Sequence, residues 1–149
     1  MKVELENGKL TQIANFMYGL KLVRKQSRFR RRFIDMLQER AILVDQDRIE
    51  LLKEHSKKDE NGEPIIHDDT YDVKDMKAFN EDLQELYSEK MVIEGGDNRE
   101  MLRTIKAVLK KFEDTEYEGQ QSEIYDYLCD QFGVDDEEDE NDEKGVDEK

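Results

Sequence analysis

Tryptophan is absent, and 149 residues hold one cysteine, one proline and two histidines. Each shortage closes off a class of explanation. With Cys129 alone, neither an intramolecular disulfide nor a multi-thiolate zinc site can form. His55 and His67 fall in different local settings, without the spacing of paired metal ligands. No apolar run approaches the roughly 20 residues that span a bilayer, and Met1 to Glu6 lack the apolar core of a secretion signal. Gly95-Gly96 is not followed by the Lys and Ser or Thr of a phosphate-cradling loop. In an EF-hand register starting at Asp59, Pro64 takes the glycine position and Thr70 the terminal Glu position. The expectation is a soluble protein with no catalytic, metal or cofactor-binding residues, hence not an enzyme.

What the chain has is charge, and the charge is sorted. The formal net charge is −15 and 42% of residues are charged, which places the composition toward the disordered side of globular. From Lys21 to Arg40 come Lys21, Arg24, Lys25, Arg28, Arg30, Arg31, Arg32 and Arg40, opposed only by Asp35 and Glu39. From Glu113 to Glu143 there are fifteen acids and no Lys or Arg. The apolar residues nevertheless keep clear periods as far as Phe132. We therefore expect one folded domain over 1–132 and an acidic, disordered tail over 133–149.

The periodicity predicts an α+β fold, mainly helical, with one long helix, three or four shorter ones and a small sheet of short strands. Val3 and Leu5 alternate with charged residues before the turn former Asn7-Gly8, as in an edge strand. Leu10, Ile13, Ala14, Met17 and Leu20 have helical spacing, and Gly19 helps to end that helix. Ser27 is a good N-cap, and no Gly or Pro interrupts the chain from there to about Lys57. Phe29, Phe33, Met36, Leu37, Leu43, Val44 and Leu51 would form the inner stripe of this long helix. Ile65-Ile66 and Tyr71 to Val73 flank a hairpin turn, and Asp75 can cap the helix of Met76 to Tyr87. Met91 to Ile93 reads as a strand closed by Gly95-Gly96. Two further helices follow, from Asp97 or Asn98 to Phe112 and from Ser122 to Phe132. Cys129, inward on the last helix beside Tyr125 and Leu128, reads as a small core residue.

Two constellations on the long helix stand out. Arg28, Arg31 and Arg32 point away from the inner stripe with Arg24 just upstream, and Ile42 and Ile49 lie where a lone surface helix should be polar. These six residues form the candidate partner interface, with oligomerisation through the long helix as one use of it. Arg40 and Asp47 fall on the apolar stripe seven residues apart, and are expected to form a buried ion pair. The Arg-rich face can bind an anion, be solvated, or be neutralised by the chain's own acids. The excess negative charge opposes nucleic-acid binding.

The segments Met1 to Asn7, Ala14-Asn15-Phe16, Leu20-Lys21-Leu22, Ser27-Arg28, Glu54 to Pro64, Glu94-Gly95-Gly96 and Glu123 to Asp126 together carry a resemblance. They resemble a small family of phage and prophage proteins of Gram-positive bacteria, domain of unknown function 1617. The similarity runs to Phe132 and omits the tail. It implies a phage origin and a place among tail and lysis genes, and carries over no catalytic or ligand residue. The expected role is a non-enzymatic, protein-binding minor tail-region or assembly component, in the host cytoplasm or with the virion. The alternatives are a cytoplasmic inhibitor of a host protein, acting as an acidic nucleic-acid mimic, and a small nucleic-acid-binding module using the Arg-rich helix.

Overall fold

The computed structural model describes residues 1–136. Its elements are β1 (Lys2–Glu6), α1 (Leu10–Tyr18), α2 (Arg24–His55), β2 (Ile66–His67), β3 (Thr70–Tyr71), α3 (Met76–Ser88), β4 (Lys90–Glu94), α4 (Arg99–Lys111) and α5 (Gln120–Phe132). Among the described residues, five α-helices and four short strands make a mainly helical α+β fold. The expected disorder of the acidic tail concerns residues that, beyond 136, lie outside those described. No helix among the described residues is long and apolar enough to cross a membrane.

β1 and β4 pair antiparallel, Val3 facing Ile93 and Leu5 facing Met91. Alternation sends Val3, Leu5 and Ile93 into the core and leaves Lys2 and Glu4 outside, where Glu4 meets both Lys2 and Lys90. β2 and β3 form a separate hairpin, its two central residues Asp68 and Asp69 both at positive φ, as a two-residue primed turn requires. The strands thus divide between two ladders instead of joining one small sheet. Asn7 and Gly8 form a 3-10 turn that leads into α1.

α2 runs 32 residues without Gly or Pro, about 48 Å at about 1.5 Å per residue. It starts one turn earlier than the Ser27 cap implied. Val23, in extended conformation, is the N-cap, and the Ser27 N–H already donates to the Val23 carbonyl at 3.4 Å. The early start is held by α4: Lys25 pairs with Glu100 and Gln26 accepts from Lys111. Leu43 also departs from expectation, being 55% exposed. At about 100° per residue it lies about 120° round from buried Leu37, whereas Val44 falls near the inner face.

The N-terminal half of α2 packs with α1, α4, α5 and the β1–β4 ladder around one core. Phe33, Leu37, Leu5, Ile13, Met17, Leu102, Ile105, Leu109 and Leu128 are sealed from solvent there. The C-terminal half of α2 leaves that core and packs on α3 through Val44, Phe79 and Leu86, with His55 edge-on to Phe79. Asp75 caps α3 as expected, accepting from the N–H groups of Lys77 and Ala78. α5 begins two residues before Ser122, and Gly133 ends it in the left-handed conformation.

Candidate functional site: a basic groove and an apolar cleft on the long helix

The first turn of α2 contains no acid, and the positive end of the helix dipole lies there. Exposed cations at that end oppose the dipole, by an amount comparable to the about 0.3–1 kcal/mol that a favourable charge contributes. The arginines are therefore not explained by the stability of α2. Arg24, Arg28, Arg31 and Arg32 are all exposed, as is Lys25. Arg24 also takes φ +51, a left-handed conformation costly for a residue with a side chain. Arg30 differs, because its guanidinium turns back to donate to the carbonyls of Met17, Tyr18 and Leu20 at the end of α1.

The structure joins part of this face to α4. Lys25, Gln26 and Arg32 from α2, with Gly96, Asp97, Arg99, Glu100, Arg103, Thr104 and Ala107, line an open groove of ≈ 970 Å³. Four cations face two carboxylates in it. Lys25 Nζ lies 2.5 Å from Glu100 Oε1. This hydrogen bond and charge, with help from Arg103 and Arg32, hold the Glu100 carboxyl below its ordinary range. The Arg99 Nε is buried and has no acceptor among the described residues. Arg32 also stacks over the Phe29 ring, 5.0 Å from its centroid, which fixes the direction of its guanidinium. Arg24, Arg28 and Arg31 do not line the groove. Arg99 and Arg103 do, and the sequence reading missed them. Their signal was present, an i, i+4 pair opposite the apolar stripe of Met101, Leu102, Ile105, Val108 and Leu109.

The second feature lies between α1 and the middle of α2. Leu10, Ala14, Leu37, Ala41 and Ile42 give an apolar lining to a cleft of ≈ 600 Å³, edged by Thr11, Asn15, Gln38, Asp45 and Gln46. Ile42 is 60% exposed at its rim. Ile49 is half-buried and does not line the cleft.

The expected Arg40–Asp47 ion pair does not form. Seven residues are about 10.5 Å along a helix, and helical side chains lean toward the N-terminus, which carries Arg40 away from Asp47. Arg40 instead donates from Nε to Asn7 Oδ1 at 3.0 Å. Asp47 is exposed and joins Glu50, Glu54, Asp82, Glu85 and Glu89 along an acidic channel between α2 and α3. Cys129 is half-buried, and burial pushes its thiol up. Tyr125 beside it donates to the Leu109 carbonyl at 2.7 Å and stacks with Tyr117, which meets Phe16. This ring cluster is core packing. His55 meets Asp82 and His67 meets Asp72, and no group of three or more potential metal ligands occurs among the described residues.

No family model, curated protein or solved structure matches the chain.

Proposed function

We propose that this protein acts without catalysis, by binding a protein partner through the long helix, as a minor tail-region or assembly component of a phage. The observation that carries the binding role is the α1–α2 cleft. Its apolar floor, polar edges and protruding Ile42 have the character of grooves that receive the apolar face of an amphipathic helix. The partner is therefore a helical segment with apolar residues at i, i+3 or i+4 spacing. The Arg-rich start of α2 lies on the same helix and adds electrostatic steering toward an acidic partner surface. The phage setting rests on the sequence resemblance alone.

The test has two arms. Mass spectrometry of purified virions and assembly intermediates should find the protein; its absence from both removes the tail-region role. Affinity capture from infected cells should recover a phage structural protein with the wild-type chain, and lose it with Ile42→Glu. Recovery of a host DNA- or RNA-binding protein instead would favour a host-directed inhibitor.

A further inference from the structure

We propose that β4 pairs with the β4 of a second copy of this chain, antiparallel about a two-fold axis at Val92. Two two-stranded ladders then join into one continuous sheet. The contact uses none of the residues that line the α1–α2 cleft, so it stands whether or not that cleft binds a partner.

The backbone leaves one edge of the ladder open. The Asn7 N–H donates to the Glu89 carbonyl at 2.8 Å, and the same register sets Glu6 opposite Lys90, Leu5 opposite Met91 and Glu4 opposite Val92. Antiparallel ladders alternate hydrogen-bonded with non-hydrogen-bonded pairs. Bonding at Asn7 and Glu89 therefore turns the N–H and C=O groups of Met91 and Ile93 toward β1. Those of Lys90, Val92 and Glu94 point to the opposite edge. On β1 the same alternation sends the Glu6 N–H outward, and α5 meets it there: it donates to Tyr127 Oη at 2.9 Å. β4 has no such cover. Among the described residues nothing accepts from the N–H of Lys90, Val92 or Glu94. Their side chains are exposed as well, Val92 by 50%. A strand edge in this state is a template for another strand.

The side chains select which strand. Read antiparallel to itself about Val92, the segment Lys90-Met91-Val92-Ile93-Glu94 is self-complementary. Val92 faces the second copy's Val92, and Met91 faces its Ile93. Lys90 faces its Glu94 and Glu94 faces its Lys90, so opposite charges meet at both ends. Such a contact is isologous, each patch serving as its own partner. The pair at the axis is of the hydrogen-bonded kind, so Lys90, Val92 and Glu94 of each copy donate and accept with groups that already point outward. A slip of one residue would set outward groups against inward ones. A slip of two would set a charged residue against Val92 and lose both charge matches. Beyond the strand, Glu89 would stand opposite Gly95 and Ser88 opposite Gly96. The space that a Cβ would take at either glycine is open, with no other part of the fold within 4 Å.

Five residues make a small contact, in the class of transient interfaces, and chains of net charge −15 repel one another. The dimer is therefore weak, and favoured by high concentration and by salt. Sedimentation and amide hydrogen exchange on the full chain test it, from roughly 50 µM to roughly 1 mM in about 0.15 M salt. The expected result is a concentration-dependent shift from monomer to dimer. The amides of Lys90, Val92 and Glu94 should slow about fivefold once about four-fifths of the chains are paired. A monomer throughout, or a dimer in which these three amides exchange as fast as before, would overturn the proposal. Charge exchange tests the register. Lys90→Glu and Glu94→Lys chains should each stay monomeric alone, because like charges then meet at both ends. Mixed, they should dimerise, because every facing pair is then opposite. Both positions are exposed, and an unchanged circular dichroism spectrum checks the fold. Homodimers of either variant as strong as the wild type, or no gain on mixing, would count against this contact. Ile42→Glu should leave the dimer intact, and its loss in that variant would move the interface to the long helix.

Discussion

Asn7→Ala should be among the most damaging single-atom-group deletions in this protein, although Asn7 is a polar residue in a short turn. Asn7 is 6% exposed and ties three elements together. Its backbone N–H donates to the Glu89 carbonyl at 2.8 Å, its Nδ2 to the Leu86 carbonyl at 3.0 Å, and its Oδ1 accepts from Arg40 Nε at 3.0 Å. Alanine keeps the backbone bond and removes both side-chain bonds. The Leu86 carbonyl retains the Glu89 N–H at 3.3 Å, so that loss costs about 1 kcal/mol. The Arg40 bond is charge-assisted, but Arg40 is half-buried and water can reach part of it, so about 1–2 kcal/mol applies. The total is about 2–3 kcal/mol, or a Tm lower by roughly 6–15 °C for a domain of this size. Urea unfolding followed by circular dichroism measures it. A cycle with Arg40→Met should give a coupling energy of about 1 kcal/mol. A loss for Asn7→Ala below about 0.5 kcal/mol, or strict additivity with Arg40→Met, would refute the reasoning.

Other expectations are more local. Ile42→Glu should leave stability within about 0.5 kcal/mol while abolishing partner capture; a clearly lowered Tm would show that Ile42 serves the fold rather than an interface. Asp75→Ala removes the acceptor for Lys77 and Ala78 N–H and should cost about 1 kcal/mol in urea unfolding; no change would mean that α3 does not depend on its cap. Cys129, its thiol raised by burial, should react with a disulfide reagent more slowly in the folded than in the unfolded chain at neutral pH, and equal rates would contradict the packing. Tyr117, Tyr125 and Tyr127 all have their hydroxyl pKa raised, chiefly by burial. Unfolded, they ionise near pH of about 10. Above that the unfolded chain binds fewer protons than the folded one, so stability falls as pH rises. Thermal melts should hold steady below pH of about 9 and decline above about 10; a flat profile through that range would exclude the effect.

Legibility from sequence followed the range of the forces involved. The hairpin turn, the Asp75 cap and the Gly19 helix end were readable because each depends on a few adjacent residues. The start of α2 was not, since Lys25 and Gln26 are drawn into the helix by Glu100 and Lys111, which lie far along the chain. The same reason separated Arg40 from Asp47. A shared stripe gave them a common face, but the partner in reach was Asn7, from another element. The candidate site was half legible: the outward arginines were visible from their angle on α2, whereas the groove needed Arg99 and Arg103 from a helix whose placement no local pattern reveals. Ile42 stood out on its angle alone and proved exposed; Ile49, chosen by the same rule, is partly covered.

The pairing of β1 with β4 bears on the order of events at the ribosome. Glu6 faces Lys90 across that ladder, 84 residues later, and its N–H donates to Tyr127 Oη at 2.9 Å, later still. At about 5–20 residues per second, roughly 4–17 s separate synthesis of the first strand from that of its partner. Through that interval Val3 and Leu5, sealed in the finished protein, lack the strand that will pair with theirs. The hairpin of β2 and β3 and the turns of α2 need no such wait. A chaperone scanning the emerging polypeptide would therefore find an apolar target in β1 long before the fold can withdraw it.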